Sequence, residues 1–156
     1  MVDFWGLFCV VDGVLVLGEP GRARFEFHPG QVVYYGEAQA DTLRWGWSDV
    51  GSMVLSVPQS RSRLPQRLSS VFHGVMAAAG ESYSDLRPRN GQVTVQAAEQ
   101  TQVLPLSLYH FGKYWIGYVE GGQRLLDQLI GDPETRQLLA HPHELLATTA
   151  QAITSR

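Results

Sequence analysis

Short apolar runs separated by turn-forming residues dominate the first part of the chain. Val32–Tyr35, Leu43–Trp45 and Met53–Val57 are rich in β-branched and aromatic residues, and Gly, Asp and Ser stand between them. Runs of this kind are typical of β-strands joined by tight turns. The pattern therefore predicts three strands of an antiparallel meander between Gln31 and Val57.

The apolar segment Phe4–Leu17 predicts a β-hairpin. It is interrupted by Asp12-Gly13, a dipeptide that suits a two-residue type I′ turn because both positions need a positive φ angle. Neither arm alternates between apolar and polar residues, so both faces of the hairpin need a cover. Other elements of the chain can supply that cover, or a second subunit can supply it as a homodimer contact. The alternating segment Ala23–Phe27 predicts the next strand.

Residues 58–90 differ in character from the segments on either side, since this stretch is polar and rich in arginine. Its apolar residues recur at helical spacing and predict an amphipathic helix over Pro65–Ala79 that Gly80 ends. At more than thirty residues, the segment is too long for a routine hairpin connection. That length indicates an insertion that is either functional or mobile.

Two further strands are predicted after this insertion. Gly91–Ala97 alternates with a period of two residues, and Val103–Leu108 follows a short polar stretch. Phe111–Val119 fits either a last strand or the approach to a helix.

The C-terminal part of the chain has a helical pattern. Leucines and an isoleucine form one apolar stripe over Glu120–Ile130, and Gly131 is a natural residue to end that helix. Asp132-Pro133 is a good helix start, with Asp as the N-cap and Pro in the first helical position. A final helix is predicted after His141-Pro142.

Strands first and helices last indicate an α+β fold and argue against a parallel nucleotide-binding sheet. We expect a curved antiparallel sheet of about seven strands, capped by the helix at 120–130 and followed by further C-terminal helices. The 156 residues suit one domain. Its core would span residues 4–131 with the insertion at 58–90, and residues 132–156 would form a helical extension.

The stretch Arg44–Val50, RWGWSDV, resembles the pleckstrin-homology and GRAM-type domains, in which a strand ends in Trp-x-Asp/Glu-Ile/Val before another apolar strand. The resemblance implies a barrel-like sheet closed by a C-terminal helix, and a binding module that is not an enzyme. Phosphoinositide binding in such domains uses Lys and Arg in the first hairpin loop. That loop is Asp12-Gly13 here and has no basic residue, so this activity does not carry over. The long insertion and the two additional helices also depart from the family pattern.

Composition narrows the possible functions. The formal charge of −3 argues against a general nucleic-acid binder, whose affinity rests on a basic surface.

The single cysteine, Cys9, sits in the most apolar strand, which predicts a buried, unreactive thiol. One cysteine also favours a reducing, cytoplasmic location. The run Phe4–Leu17 is too short for a membrane span and lacks the basic flank of a secretory signal.

The charge is unevenly distributed along the chain. Residues 58–90 hold five arginines and two acidic residues, a net charge of +3, whereas residues 1–57 carry −4. Arginine binds carboxylates and phosphates with two parallel hydrogen bonds. The insertion is therefore a candidate contact for an acidic protein or an anionic lipid surface. The alternative is a solvated loop, or one folded back on the domain's own acidic face. The candidate binding residues are Arg61, Arg63, Arg67, Arg87 and Arg89.

Trp45 and Trp47 are a second candidate for binding. They are two residues apart, so on a continuous strand they would share one face. Core packing is the simplest role for one of them. If that face is exposed, the pair would form an aromatic platform for a peptide or a ligand.

No pattern in the sequence predicts catalysis, a cofactor or a metal. His141 and His143 have the spacing of two metal ligands, but no third ligand is evident nearby, and a helix entry is the better explanation. The glycines of Gly117–Gly122 lack the Lys-Ser/Thr of a phosphate loop and suggest a strand-to-helix corner. A self-associating, non-enzymatic interaction module is therefore the first hypothesis. The alternatives are a small-molecule-binding or hydrolytic α+β protein with a pocket between sheet and helix, and a structural homo-oligomer subunit.

Overall fold

The computed structural model describes residues 4–37, 41–57, 91–108 and 116–154. Its strands pair antiparallel in two sheets, and within each sheet every strand lies beside its neighbour in sequence. The first sheet contains β1 (Phe4–Trp5), β2 (Phe8–Val11), β3 (Val14–Gly18), β4 (Arg24–Phe27), β5 (Gln31–Tyr35) and β6 (Thr42–Gly46). The second sheet contains β7 (Val50–Ser56), β8 (Gly91–Ala97) and β9 (Gln100–Leu106).

The α+β class and the antiparallel pairing are confirmed, but the prediction of one curved sheet of about seven strands is wrong. The described part of the chain has nine strands, divided six and three between two sheets. An extra strand arises because Gly6, with a φ of 58°, reverses the chain inside the predicted hairpin. The sheets separate because the 3₁₀ turn Trp47–Asp49 ends β6 and sends the chain into β7.

Two hairpins turn through two residues with positive φ. Asp12 and Gly13 have φ angles of 51° and 77° and form the predicted turn between β2 and β3. Ala98 and Glu99, with φ angles of 49° and 65°, form the same kind of turn between β8 and β9 without a glycine. The backbone N–H of Ala98 donates to the carbonyl oxygen of Asp49 at 3.1 Å, which ties this turn to the corner between the sheets.

The two sheets are joined at the ends of β3 and β9. The N–H of Glu19 donates to the carbonyl oxygen of Ser107, and the N–H of Ser107 donates to that of Ala23, both at 2.9 Å. Gly18 has a φ of 102°, and a Cβ added there would lie 2.8 Å from a methyl group of Leu106. Only glycine meets both the conformation and the space at this junction.

The described residues after the second sheet form three α-helices, as the periodicity predicted. They are α1 (Ile116–Gly131), α2 (Pro133–Gln137) and α3 (Pro142–Thr154), with a 3₁₀ turn at Leu138–Ala140 between the last two. Asp132 is the N-cap of α2, as predicted, and its side chain accepts the N–H of Glu134 at 3.0 Å. Hydrogen bonds from the Thr135 hydroxyl and from the backbone at Glu134 lower the pKa of the Asp132 carboxyl.

Helix α1 packs against both sheets and fills the space between them. Leu125, Leu126 and Leu129 are completely buried in the same cluster as the aromatic side chains of the first sheet. A Cβ added to Gly122 would lie 3.1 Å from a ring carbon of Phe8, so helix and sheet are in close contact. This interior is packed with side chains that exclude solvent.

Two of the predicted elements fall outside the described residues. The helix predicted over Pro65–Ala79, with the rest of 58–90, is one of them. The other is the first part of Phe111–Val119, which the sequence left open between strand and helix. The described part of that segment begins at Ile116 and is helical.

Candidate interaction surface

The edges of the two sheets are where this fold can add a partner through its backbone. An edge strand presents unpaired N–H and C=O groups, and natural proteins protect most such edges. In the described part of the chain the edge strands are β1, β6, β7 and β9. The described part of β1 is only two residues long. The other three edge strands therefore determine whether a partner strand can be added.

The edge of β7 is occupied by Gln123 of α1. The amide oxygen of Gln123 accepts the N–H of Leu55 at 2.8 Å, and its amide nitrogen donates to the carbonyl oxygen of Met53 at 2.7 Å. The same nitrogen donates to the carboxylate of Asp127 at 3.0 Å. The buried side-chain amide thus takes the place of a neighbouring strand, and the β7 edge is closed there.

The edge of β9 is blocked by Pro105. Proline has no N–H to offer a further strand, and its carbonyl oxygen accepts the hydroxyl hydrogen of Tyr34 at 2.8 Å. Burial raises the pKa of Tyr34 to about 12, and the nearby carboxylates of Asp41 and Glu37 add to this shift. The hydroxyl is therefore neutral and able to donate at neutral pH.

We expect Tyr34→Phe to lower the free energy of unfolding by about 1 kcal/mol at neutral pH, because Pro105 loses its hydrogen-bond donor. The folded-state pKa of Tyr34 lies above the ordinary tyrosine value of 10.0. Its stabilisation is therefore complete below pH 10 and is lost as pH rises toward about 12. Urea unfolding at neutral and alkaline pH measures both effects, with Tyr35→Phe as the control.

In that comparison the stability of the wild-type chain should fall more steeply at alkaline pH than that of Tyr34→Phe. The control, which removes the hydroxyl of half-buried Tyr35, should retain the steep wild-type profile. Parallel profiles for wild type and Tyr34→Phe would contradict the assignment.

The backbone direction of β5 follows from its hydrogen bonds with β4. His28 and Gln31 exchange both backbone hydrogen bonds, with N···O distances of 2.9 and 3.3 Å. Backbone groups in a strand alternate sides, so those of Val32 and Tyr34 point away from β4 and toward β6.

The same alternation fixes the direction of β6. Trp45 is opposite Val32 and Leu43 is opposite Tyr34, so the backbone groups of Trp45 and Leu43 point toward β5. Those of Arg44, which lies between them, point away from β5. Among the described strands β6 pairs with β5 only. The N–H and C=O of Arg44 are therefore directed outward at the centre of this edge.

The side chains of β6 differ between its two faces. Leu43 and Trp45 are half-buried and pack against the core, whereas Arg44 is exposed on the opposite face. Within the described ranges the guanidinium of Arg44 forms no ion pair. On the same face Glu26 is already paired, at 3.3 Å with Arg24 and at 3.5 Å with His28. Arg44 therefore places a positive charge on an edge strand, where a partner can bind it.

The structure places the two candidate tryptophans in different elements. Trp45 lies on β6, but Trp47 lies in the 3₁₀ turn that follows, so they do not share a continuous strand. Trp47 is 6% exposed, and its indole N–H donates to the carbonyl oxygen of His28 at 2.8 Å. Its ring stacks on Phe27 with a centroid distance of 6.1 Å. Binding by these tryptophans stays a prediction. Of the two, Trp45 is the one whose side chain keeps exposed surface that a partner can contact.

The predicted binding residues Arg61, Arg63, Arg67, Arg87 and Arg89 lie outside the described residues. The strands that flank them are described. Ser56 of β7 is directly opposite Gln92 of β8. The segment 58–90 therefore leaves the second sheet and returns to it at the same end.

The remaining sequence candidates have structural roles in the part of the chain described. Cys9 is buried, as predicted. The glycines of Gly117–Gly122 lie inside α1 and not at the expected strand-to-helix corner, and Gly122 allows the helix to approach Phe8. No group of three or more His, Cys, Asp or Glu side chains among the described residues is placed to hold a metal ion. No helix in these ranges is long and apolar enough to cross a membrane.

Comparison with protein-family models, with curated proteins and with solved structures found no match to this chain. The likeness to pleckstrin-homology and GRAM-type domains therefore stays a prediction. The surface has to be interpreted from its own geometry.

Two residues of this surface were not singled out as candidates from the sequence. Gln123 interrupts the apolar stripe of α1, and a polar residue on the buried side of a helix is a signal that it has a specific partner. Arg44 stands between two apolar residues in a five-residue strand. That alternation places it on the outer face, but only the sheet order shows that the strand is an edge.

Proposed function

We propose that the chain is a non-enzymatic interaction module that binds an acidic protein or an anionic lipid surface through the arginines of segment 58–90. The observation that carries the proposal is the pairing of Ser56 with Gln92. Because of it, a segment with a net charge of +3 is attached at one end of a domain whose other residues carry a net charge of −6, within a whole-chain charge of −3.

The packed interior supports a binding module over a protein with an internal pocket. The space between α1 and the sheets, where a small ligand would sit in the alternative hypothesis, is filled by fully buried side chains such as Phe8, Leu55 and Leu125. A binding function would then use the outer surface of the domain. The resemblance to pleckstrin-homology and GRAM-type domains, which implies a binding module, points the same way.

Charge reversal in the full-length chain tests the proposal. The variant Arg61→Glu/Arg63→Glu changes two arginines of the segment, and Arg22→Glu/Arg124→Glu changes two exposed arginines elsewhere. The two variants have the same net charge, so any difference between them reports position. Each is used as bait for affinity capture with quantitative mass spectrometry, and is sedimented with neutral vesicles and with vesicles containing anionic lipid.

We expect the wild-type chain and the Arg22/Arg124 variant to retain the same acidic protein or to sediment with the anionic vesicles. The Arg61/Arg63 variant should lose that interaction, and rising salt should weaken it in the wild type. Capture of an acidic protein and sedimentation with anionic vesicles distinguish the two kinds of partner. Equal binding by the two variants would refute the role of the segment.

A further inference from the structure

We infer that β6 is a docking strand for an extended segment of a partner protein, which adds to the first sheet and places an acidic residue opposite Arg44. This site is built from residues other than the arginines of segment 58–90. It binds the backbone of an extended peptide, whereas the arginines are proposed to bind an acidic protein or an anionic lipid surface.

The choice of β6 follows from comparison with the other sheet edges. The β7 edge is closed by Gln123, with contacts of 2.7 and 2.8 Å to the strand backbone. The β9 edge is blocked by Pro105, whose carbonyl oxygen is taken by Tyr34. By contrast, β6 has five residues, and the N–H and C=O of Arg44 point outward at its centre. An added antiparallel strand can exchange two backbone hydrogen bonds with Arg44.

Charge decides between a partner peptide and a second copy of this chain. If two β6 strands paired antiparallel about a two-fold axis with full overlap, Arg44 would be directly opposite Arg44 of the other copy. Like charges directly opposite each other on neighbouring strands are destabilising. The exposed Arg44, which forms no ion pair in the described part of the chain, instead favours an acidic residue in that position.

The faces of β6 also specify the neighbours of that acidic residue. Leu43 and Trp45 lie on the core side and are half-buried. Residues on either side of the acidic one would face the same way as these two side chains. The docked segment should therefore alternate apolar, acidic, apolar, and cover the remaining exposed surface of Trp45. This gives Trp45 the peptide-contact role that the sequence suggested.

The probe is a blocked peptide, acetyl-TTVEVTT-amide, titrated into the isotope-labelled full-length chain while amide NMR signals are followed. Shifts and protection from hydrogen exchange should centre on the amide of Arg44. Binding should be about tenfold tighter than for the peptide with Lys in place of Glu. With Arg44→Glu, an exposed substitution, the preference should reverse to the Lys peptide. The control Arg22→Glu should keep the wild-type preference.

Three results would overturn the proposal. The first is the absence of NMR shifts at β6 with about 1 mM peptide. The second is a preference for the Glu peptide over the Lys peptide that Arg44→Glu does not change. The third is protection of the Arg44 amide from hydrogen exchange in the peptide-free chain that depends on chain concentration. The last would show a second copy as the occupant. The same titration in the Arg61→Glu/Arg63→Glu chain should leave peptide binding intact. Failure at either surface can therefore be recognised by itself.

Discussion

Replacing Gln123 by leucine should lower the free energy of unfolding by about 3 kcal/mol. The side-chain amide of Gln123 is the partner of the Leu55 N–H and of the Met53 carbonyl oxygen, at 2.8 and 2.7 Å. Gln123 is only 9% exposed. Leucine has nearly the same size but no polar atoms, so both backbone groups would be left buried without a partner. Urea denaturation followed by circular dichroism measures the loss.

Gln128→Leu is the matched control, because Gln128 is on the same helix and exposed. Its expected change is within about 0.5 kcal/mol. If the two variants were equally stable, the role of Gln123 at the β7 edge would be wrong.

Gln123→Glu separates the two hydrogen bonds. A glutamate can still accept the N–H of Leu55, but when ionised it cannot donate to Met53, and it lies beside the carboxylate of Asp127. Burial and this like charge should raise the pKa of the new carboxyl in the folded state. The variant should therefore be least stable at neutral pH, and its deficit relative to wild type should shrink as pH falls and the carboxyl becomes protonated.

Replacing Trp47 by alanine should have an effect of similar or larger size, a loss of about 4 kcal/mol. The ring is buried against Phe27, and the guanidinium of Arg136 lies over it at 5.7 Å from the ring centre. Removing it would also leave the carbonyl oxygen of His28 without the indole N–H. Because Trp47 lies in the turn between β6 and β7, the loss should also loosen the connection between the two sheets.

Two further variants separate the contributions of the hydrogen bond and of ring burial to that loss of stability. Trp47→Phe keeps most of the ring but removes the hydrogen bond to His28, and should cost about 1–2 kcal/mol. Trp45→Ala removes a half-buried ring and should cost clearly less than Trp47→Ala. Iodide quenching of single-tryptophan chains provides an independent check, since Trp45 should be quenched more than Trp47. The reverse order in either measurement would contradict the deeper burial of Trp47.

Protection of sheet edges connects stability with function in this fold. The Gln123 amide and Pro105 close two edges against further strands. The edge at β6 has no comparable device among the described residues, and it carries an exposed arginine. A charged side chain on an edge strand opposes pairing with a like-charged second copy but matches an acidic partner segment, which is the reasoning behind the proposed docking strand.

Most of the strands and helices could be predicted from the sequence because their signals are local. Asp12-Gly13 favours a turn when it stands between apolar runs. Asp132-Pro133 starts a helix because Asp is a good N-cap and Pro suits the first helical position. The extra turn at Gly6 was missed because a single glycine inside an apolar run fits a continuous strand as well as a turn, and this position lacks the Asn-Gly or Asp-Gly pair of a two-residue hairpin loop. The candidate arginines of 58–90 were chosen from charge alone, and their binding role stays a prediction.

The sequence by itself determined the class of the fold, the order of its elements and the uneven distribution of charge, since these depend on periodicity, turn chemistry and composition. Only the tertiary structure decided that the strands divide into two sheets, that Trp47 is buried while Trp45 keeps some exposure, and that Gln123 closes one edge while β6 forms another. Gln123 contacts residues 68 and 70 positions away. Such pairs depend on how whole elements pack, and no local pattern of apolar and polar residues specifies them.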